Sequence, residues 1–129
     1  MTARWLSEEW FALAGGQATG LSGPPTLEGT VVVEVTGGEA GDVVGHASFA
    51  GGKLVGSGSG AVEGPDLTLT LTDADARAVV AGELDPSVAF MQGRMKVAGA
   101  MAPLLDLLAL AGTDDARDRL GRVADQTDF

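Results

Sequence analysis

Alternation of apolar and polar residues predicts strands in the first half of the chain. In residues 30–36 the valines at alternate positions share one face, and Thr and Glu occupy the other. The segment 67–72, LTLTLT, alternates strictly, which is typical of a strand with one buried and one solvated face. Glycine-rich turns bracket two more strands, at about 42–49 and 53–62, and residues 94–98 form a fifth short one.

Helices are predicted at the start of the chain and throughout its second half. Ser7 is placed to cap a short helix that glycines end near Gly15. Thr72 and Asp85 are placed to cap two further short helices, which glycines also end. Residues 100–111 form the most apolar helix, and the acidic and basic tail 113–129 follows it.

The order of these elements predicts the fold class. Strands joined by short turns come first and helices gather later, which favours an α+β fold with helices over one face of an antiparallel sheet. We expect one domain over residues 1–129, with 113–129 as a helical tail. Ala116, Leu120 and Val123 fall on one narrow stripe of that tail, suited to docking on its own domain or on a partner.

Side-chain volume indicates where a cavity could form. One face of the strand 53–62 carries Gly56, Gly58 and Gly60, and the strand before it carries Gly45 and Ala47 beside larger residues. Glycine inside a strand often marks the close approach of a ligand or of another backbone. The apolar helix 100–111 needs apolar partners on much of its circumference. Either the helix closes directly onto bare backbone, or an apolar void remains for a guest.

The void interpretation selects eleven ligand-binding candidates, drawn from both walls and from neighbouring apolar positions. They are Val33, Gly56, Gly58, Phe90, Met91, Met95, Val97, Met101, Leu104, Leu105 and Leu108.

One segment resembles a known family. Residues 82–99, GELDPSVAFMQGRMKVAG, carry a Gly-x-Leu-Asp-Pro motif, then Ala-Phe-Met-Gln-Gly, then a short basic and apolar strand ending in Gly. This pattern resembles the sterol carrier protein 2 family, with weaker similarity back to about Leu27. Ala100 departs from the Asp that the family often has there, and Pro103 falls early in the last helix, where only the first turn tolerates it.

The resemblance implies a five-stranded, mostly antiparallel sheet with helices over an apolar tunnel. It implies binding or transfer of a fatty acid, acyl-CoA, sterol or similar lipid, with no catalytic residue and no cofactor. An alternative is a scaffold or regulatory module for a lipid-metabolising enzyme, with a vestigial cavity. An enzyme is the weakest hypothesis, because acid and base groups are scarce.

Composition narrows the partners and the location. The net charge of −10 argues against nucleic acid and against durable binding to anionic membranes. With no cysteine, there is neither a disulfide nor a thiol nucleophile. The N-terminal residues carry acids where a secretory signal would begin its apolar run. We expect a cytoplasmic protein of bacterial type, monomeric or homodimeric, without stable membrane insertion.

Other candidate groups have ordinary structural explanations. His46, the one histidine, is expected on the solvent face of its strand. Asp73 and Asp75 are better explained as acids at a helix N-terminus than as metal ligands. Arg94 and Lys96 lie on the polar side of the fifth strand and could meet an anionic head group, although solvated positions are favoured.

Overall fold

The computed structural model describes residues 2–39 and 41–129, so Met1 and Ala40 of the predicted domain lie outside the described residues. Two short strands, β1 (Ala3–Arg4) and β7 (Thr127–Asp128), pair in parallel. The main sheet consists of β2 (Gly29–Gly38), β3 (Gly41–Ala50), β4 (Lys53–Ser59), β5 (Leu67–Thr72) and β6 (Lys96–Gly99). The order of these strands across the sheet is β4-β3-β2-β5-β6.

The predicted fold class is confirmed. Three of the four strand pairs in the main sheet are antiparallel, and only β2 and β5 run in parallel. The helices are α1 (Glu8–Ala18), α2 (Asp73–Val80), α3 (Pro86–Met91), α4 (Met101–Ala111) and α5 (Asp114–Asp125). No helix in the described part of the chain is both long enough and apolar enough to cross a bilayer.

The predicted caps form, and they explain where the helices begin. The side chains of Ser7, Thr72 and Asp85 each accept a hydrogen bond from a backbone N–H in the first turn of α1, α2 and α3. Ala100 occupies the same position before α4 and offers no side-chain acceptor. Thr113, which the sequence analysis did not single out as a cap, caps α5.

The predicted end of α1 near Gly15 is wrong, because the helix continues through Gly15 and Gly16 to Ala18. Packing accounts for the difference. A Cβ on Gly15 would collide with the hydroxyl of Ser57 on β4, so the glycine lets the helix backbone lie close to the sheet. The glycine that looked like a stop signal is a contact surface.

The main core lies between one face of the sheet and helices α2, α3 and α4. Buried side chains of β2 and β5 pack there against Ala76 of α2, Ala89 of α3 and Leu104 of α4. The opposite face of the sheet is polar, with Thr30 bonded to Ser48 and with His46 beside Gly58. This arrangement matches the alternation along the strands.

A second, smaller cluster joins the two ends of the described chain. Buried Ala3, Trp10, Val80 and Val123 form its centre, so α1, α2 and α5 meet there. Hydrogen bonds from the backbone N–H of Ala3 and Trp5 to the C-terminal segment complete the contact. The tail helix α5 therefore docks on its own domain.

Candidate functional site: an apolar cleft between two hydrophobic clusters

A cleft of about 650 Å³ lies between the main core and the second cluster. All five helices or their flanking loops border it, together with the hairpin end of β3 and β4. Its volume falls in the range of about 300–1,000 Å³ that is usual for small-molecule sites. The fold thus leaves space at a boundary between two packed regions rather than inside one of them.

The walls of the cleft are mostly apolar, and each comes from a different element. Helices α1, α2, α4 and α5 and the sheet hairpin all contribute to its walls, and α5 packs directly against α1 beside it. The large or apolar lining residues are Trp10, Ala14, Ala18, Leu21, Phe49, Leu54, Val79, Val80, Leu84, Leu107, Leu110, Leu120 and Val123.

A β-bulge aims two of these residues into the cleft. The register of β3 and β4 pairs Ser48 with Gly56 but Phe49 with Leu54, so Val55 is left without an opposite residue. The extra residue turns Leu54 to the helix side with Phe49, and Val55 is exposed. The same bulge decides which face the glycines of β4 take.

Gly56 and Gly58 consequently lie on the outer face of the sheet, away from the helices. Gly58 pairs with His46, and a Cβ on Gly58 would lie 3.3 Å from Cε1 of that imidazole. The prediction that these glycines bind a ligand required unbroken alternation over 53–62, which would turn them toward the helices. That orientation is wrong, because one bulged residue reverses every later side chain.

The remaining predicted ligand-binding residues divide into two groups. Six of them come together in or against the main core: Val33, Phe90, Met95, Val97, Leu104 and Leu108. Three others are exposed on α3 and α4: Met91, Met101 and Leu105. None of the eleven lines the 650 Å³ cleft, and contact with a ligand stays a prediction for all of them.

Two signals in the sequence pointed to the cleft without being assigned to it. The stripe of Ala116, Leu120 and Val123 on the tail helix was recognised as a docking face, and all three residues line the cleft. The helix over residues 100–111 was expected to need apolar partners on much of its circumference, and its residues Leu107 and Leu110 line the cleft too. On both helices, an apolar surface wider than packing requires was the feature of the sequence that indicated the cleft.

Four polar side chains border the cleft: Gln17, Asp85, Arg117 and Arg119. Arg119 is committed to structure, since its guanidinium donates to the backbone oxygens of Gln17 at 2.8 Å and Thr19 at 2.6 Å. It also pairs with Asp115 at 3.1 Å. These bonds tie α5 to the carboxyl end of α1, where a cation is favourable.

The other predicted polar candidates lie outside the cleft; Lys96 is exposed on β6, and the rest have structural partners. His46 is on the outer face as expected, and its Nδ1 donates to the carbonyl oxygen of Gly60 at 2.9 Å. Arg94 pairs with Asp75 at 2.6 Å. That bond lowers the pKa of Asp75 and raises the pKa of Arg94. Asp73 and Asp75 are first-turn acids of α2, as predicted.

Comparison with known proteins identifies the family. Residues 25–112 match the model of the SCP-2 sterol transfer family. The chain belongs to this family. A segment of 45 residues is also 40% identical to sterol carrier protein 2 of Rattus norvegicus, and it spans only 8% of that protein's length.

Solved structures of similar proteins have the same fold. A conserved hypothetical protein of Thermus thermophilus, described as a possible sterol carrier protein, superposes with a TM-score of 0.73 at 20% identity, covering 96% of this chain and 93% of that one. A crystal structure of sterol carrier protein 2 gives 0.69 at 21% identity, covering 93% and 96%. Palmitated SCP2L2 from Aedes aegypti gives 0.62 at 19% identity, covering 84% and 92%.

Proposed function

We propose that this SCP-2 family member binds a single-chain lipid in the cleft and transfers it without chemical change. The observation that carries the proposal is an apolar cleft of about 650 Å³ in a chain whose family transfers sterols. The cleft is bordered by few polar groups, so it suits a guest recognised through its hydrocarbon. The cytoplasmic location expected from the sequence stays a prediction.

The energetics permit useful affinity without specific polar contacts. Burying about a dozen methylenes contributes on the order of 10 kcal/mol. Association costs about 4 kcal/mol of this at the low end of the usual range, which leaves about 6 kcal/mol and a dissociation constant of roughly tens of micromolar. Apolar walls discriminate weakly between chains of similar size, so the hydrocarbon alone does not define one ligand.

The packing of α5 bears on the alternative of a scaffold for a lipid-metabolising enzyme. That alternative drew on the apolar stripe of the tail, and the stripe is used within this chain, where Val123 is buried and Leu120 packs beside it. The lipid carrier is therefore the better-supported proposal. A partner enzyme and the oligomeric state stay predictions.

A cleft-filling substitution tests the proposal. Ala18 lines the cleft at the end of α1, so Ala18→Phe should place a ring in the space that a lipid would use. We expect it to weaken myristate binding by about tenfold or more, the size of one or two lost methylene-sized contacts and an added steric conflict. Binding is measured by displacement of a fluorescent apolar probe, and transfer by exchange of that probe between vesicles.

Ala12→Phe is the matched control, because Ala12 is exposed on the same helix and does not border the cleft. It should bind myristate like the unmodified chain. Equal binding by both folded variants would show that the lipid lies elsewhere. If the unmodified chain binds neither myristate nor tetradecanol, the proposed function is wrong.

A further inference from the structure

The two arginines at the cleft differ in how far their charges are satisfied. A guanidinium has five N–H donors. Arg119 uses its donors on Asp115 and two backbone oxygens, and its side chain is 22% exposed. Arg117 is 60% exposed, and within residues 2–39 and 41–129 its guanidinium makes one hydrogen bond, at 3.5 Å to Asp85. Most donors of Arg117 thus face solvent beside the cleft.

The single partner of Arg117 is itself engaged elsewhere. Asp85 is the N-cap of α3, and its Oδ1 accepts a hydrogen bond from the backbone N–H of Ser87 at 2.8 Å. Only Oδ2 approaches Arg117, at a distance well above the 2.7–2.9 Å of a strong charge-assisted bond. The cap holds the carboxylate in place, so Arg117 is left with a long contact that a better-placed anion can replace.

The location of this cation matters because the chain as a whole is acidic. A net charge of −10 opposes the approach of any anion. An amphiphile in the cleft would bury its chain among the apolar walls and leave its polar end at the solvent side. The position of Arg117 there supplies local positive charge where the head group would lie.

We propose that Arg117 binds the anionic head group, carboxylate or phosphate, of a single-chain amphiphile, and that Asp85 occupies Arg117 until the ligand arrives. The proposal rests on the proposed function, since it requires a hydrocarbon chain in the cleft. It adds a preference for anionic over neutral ligands of the same length. It also assigns that preference to Arg117 and to Asp85, which competes with the ligand for Arg117.

The test compares ligands that differ only in the head group. Myristate, tetradecyl phosphate and tetradecanol share one chain, so the ratio of the affinity of each anion to that of the alcohol isolates the head group. Arg117→Gln should lower this ratio roughly five- to tenfold, as expected for losing a charge-assisted hydrogen bond at a partly exposed site. Arg117→Lys should restore part of the ratio. The anion with the higher ratio identifies the head group.

Asp85→Asn tests whether Asp85 competes with the ligand, and it should change the affinity ratio in the opposite direction. Asparagine keeps the oxygen that caps α3 but removes the charge that holds Arg117 and repels an anion. We expect the ratio to rise a few-fold, about the effect of removing one nearby like charge. Arg122→Gln, an exposed arginine of α5 that does not border the cleft, is the control and should leave the ratio unchanged.

The outcomes separate this inference from the proposed function. Binding of all three ligands with an unchanged ratio in Arg117→Gln would overturn the inference while leaving the carrier intact. An equal loss for anion and alcohol would also overturn it, because Arg117 would then act only as part of the wall. Absence of binding in the unmodified chain would instead contradict the carrier itself.

Discussion

The ring of Phe11 lies directly over the backbone of Gly45, so that helix α1 fills the bare part of the sheet. A Cβ on Gly45 would overlap the edge of this ring. Gly45 is buried, and it pairs with Val33 on one side and Ser59 on the other. At this position the large side chain of the helix packs directly on the small residue of the sheet. The cleft opens farther along, at the hairpin end of β3 and β4.

The first prediction follows from this contact. Gly45→Ala should destabilise the fold by about 1–3 kcal/mol, the usual cost of overpacking a filled core position. Combining it with Phe11→Leu should recover part of that loss relative to the sum of the single changes. Urea unfolding measures both. Gly56→Ala is the control, since an added Cβ there meets nothing within 4 Å, and it should change stability by less than about 0.5 kcal/mol. Equal effects of the two substitutions would contradict the packing described.

The second prediction concerns Asp73 and acid stability. Its carboxylate accepts hydrogen bonds from the indole of Trp5 at 2.9 Å and from Arg77 at 2.6 Å. Burial by itself would raise its pKa, but these two partners outweigh burial and hold the pKa of Asp73 below its ordinary value. The unfolded chain therefore takes up the proton more readily. Stability from this group is complete above the unfolded pKa of about 3.9 and is lost as the pH falls through the folded pKa.

Asp73→Asn should flatten the fall of stability on the acid side of about pH 4. The measurement is the free energy of unfolding in urea at several pH values. Asp118→Asn removes one charge from an exposed position of α5 and should leave the slope close to that of the unmodified chain. Parallel curves for Asp73→Asn and the unmodified chain would show that the bonds of Trp5 and Arg77 do not favour the charged form.

The third prediction uses the missing cap of α4. Ala100 has extended backbone dihedrals of φ −76° and ψ 137° at the N-cap position and makes no side-chain hydrogen bond. Ala100→Ser and Ala100→Asp should each stabilise the fold by about 1 kcal/mol, because each supplies an acceptor for a first-turn N–H. Thermal unfolding followed by circular dichroism measures the gain. Ala102→Ser, inside the first turn of the helix, should give no gain, and a similar gain there would exclude capping as the cause.

The fourth prediction concerns glycines inside helices. Gly121 in α5 and Gly16 in α1 each have open space where a Cβ would be built. Replacing either with alanine should stabilise the fold by up to about 1 kcal/mol, since alanine has the higher helix propensity. Gly15→Ala should gain less than either, because its Cβ meets the hydroxyl of Ser57, which has to rotate away. An equal gain at Gly15 would contradict the close approach of α1 to β4.

Much of the secondary structure could be predicted because its causes lie within a few residues. The alternation of LTLTLT defines β5, and the side-chain oxygens of Thr72 and Asp85 set the starts of α2 and α3. The order of strands and helices predicted the α+β class, and the motif in residues 82–99 indicated the family to which the chain belongs. These signals are local, or they are carried by a fixed spacing in one segment.

The candidate site depended on contacts between distant parts of the chain. A bulge at Val55 turned Gly56 and Gly58 outward, and Gly15 served as a contact surface rather than a helix stop. The position of α5 against α1 decided that Leu120 and Val123 would border the cleft. Periodicity shows which side chains share a face, but the partner of that face is chosen by packing among elements about a hundred residues apart, where the lowest free energy depends on the whole chain.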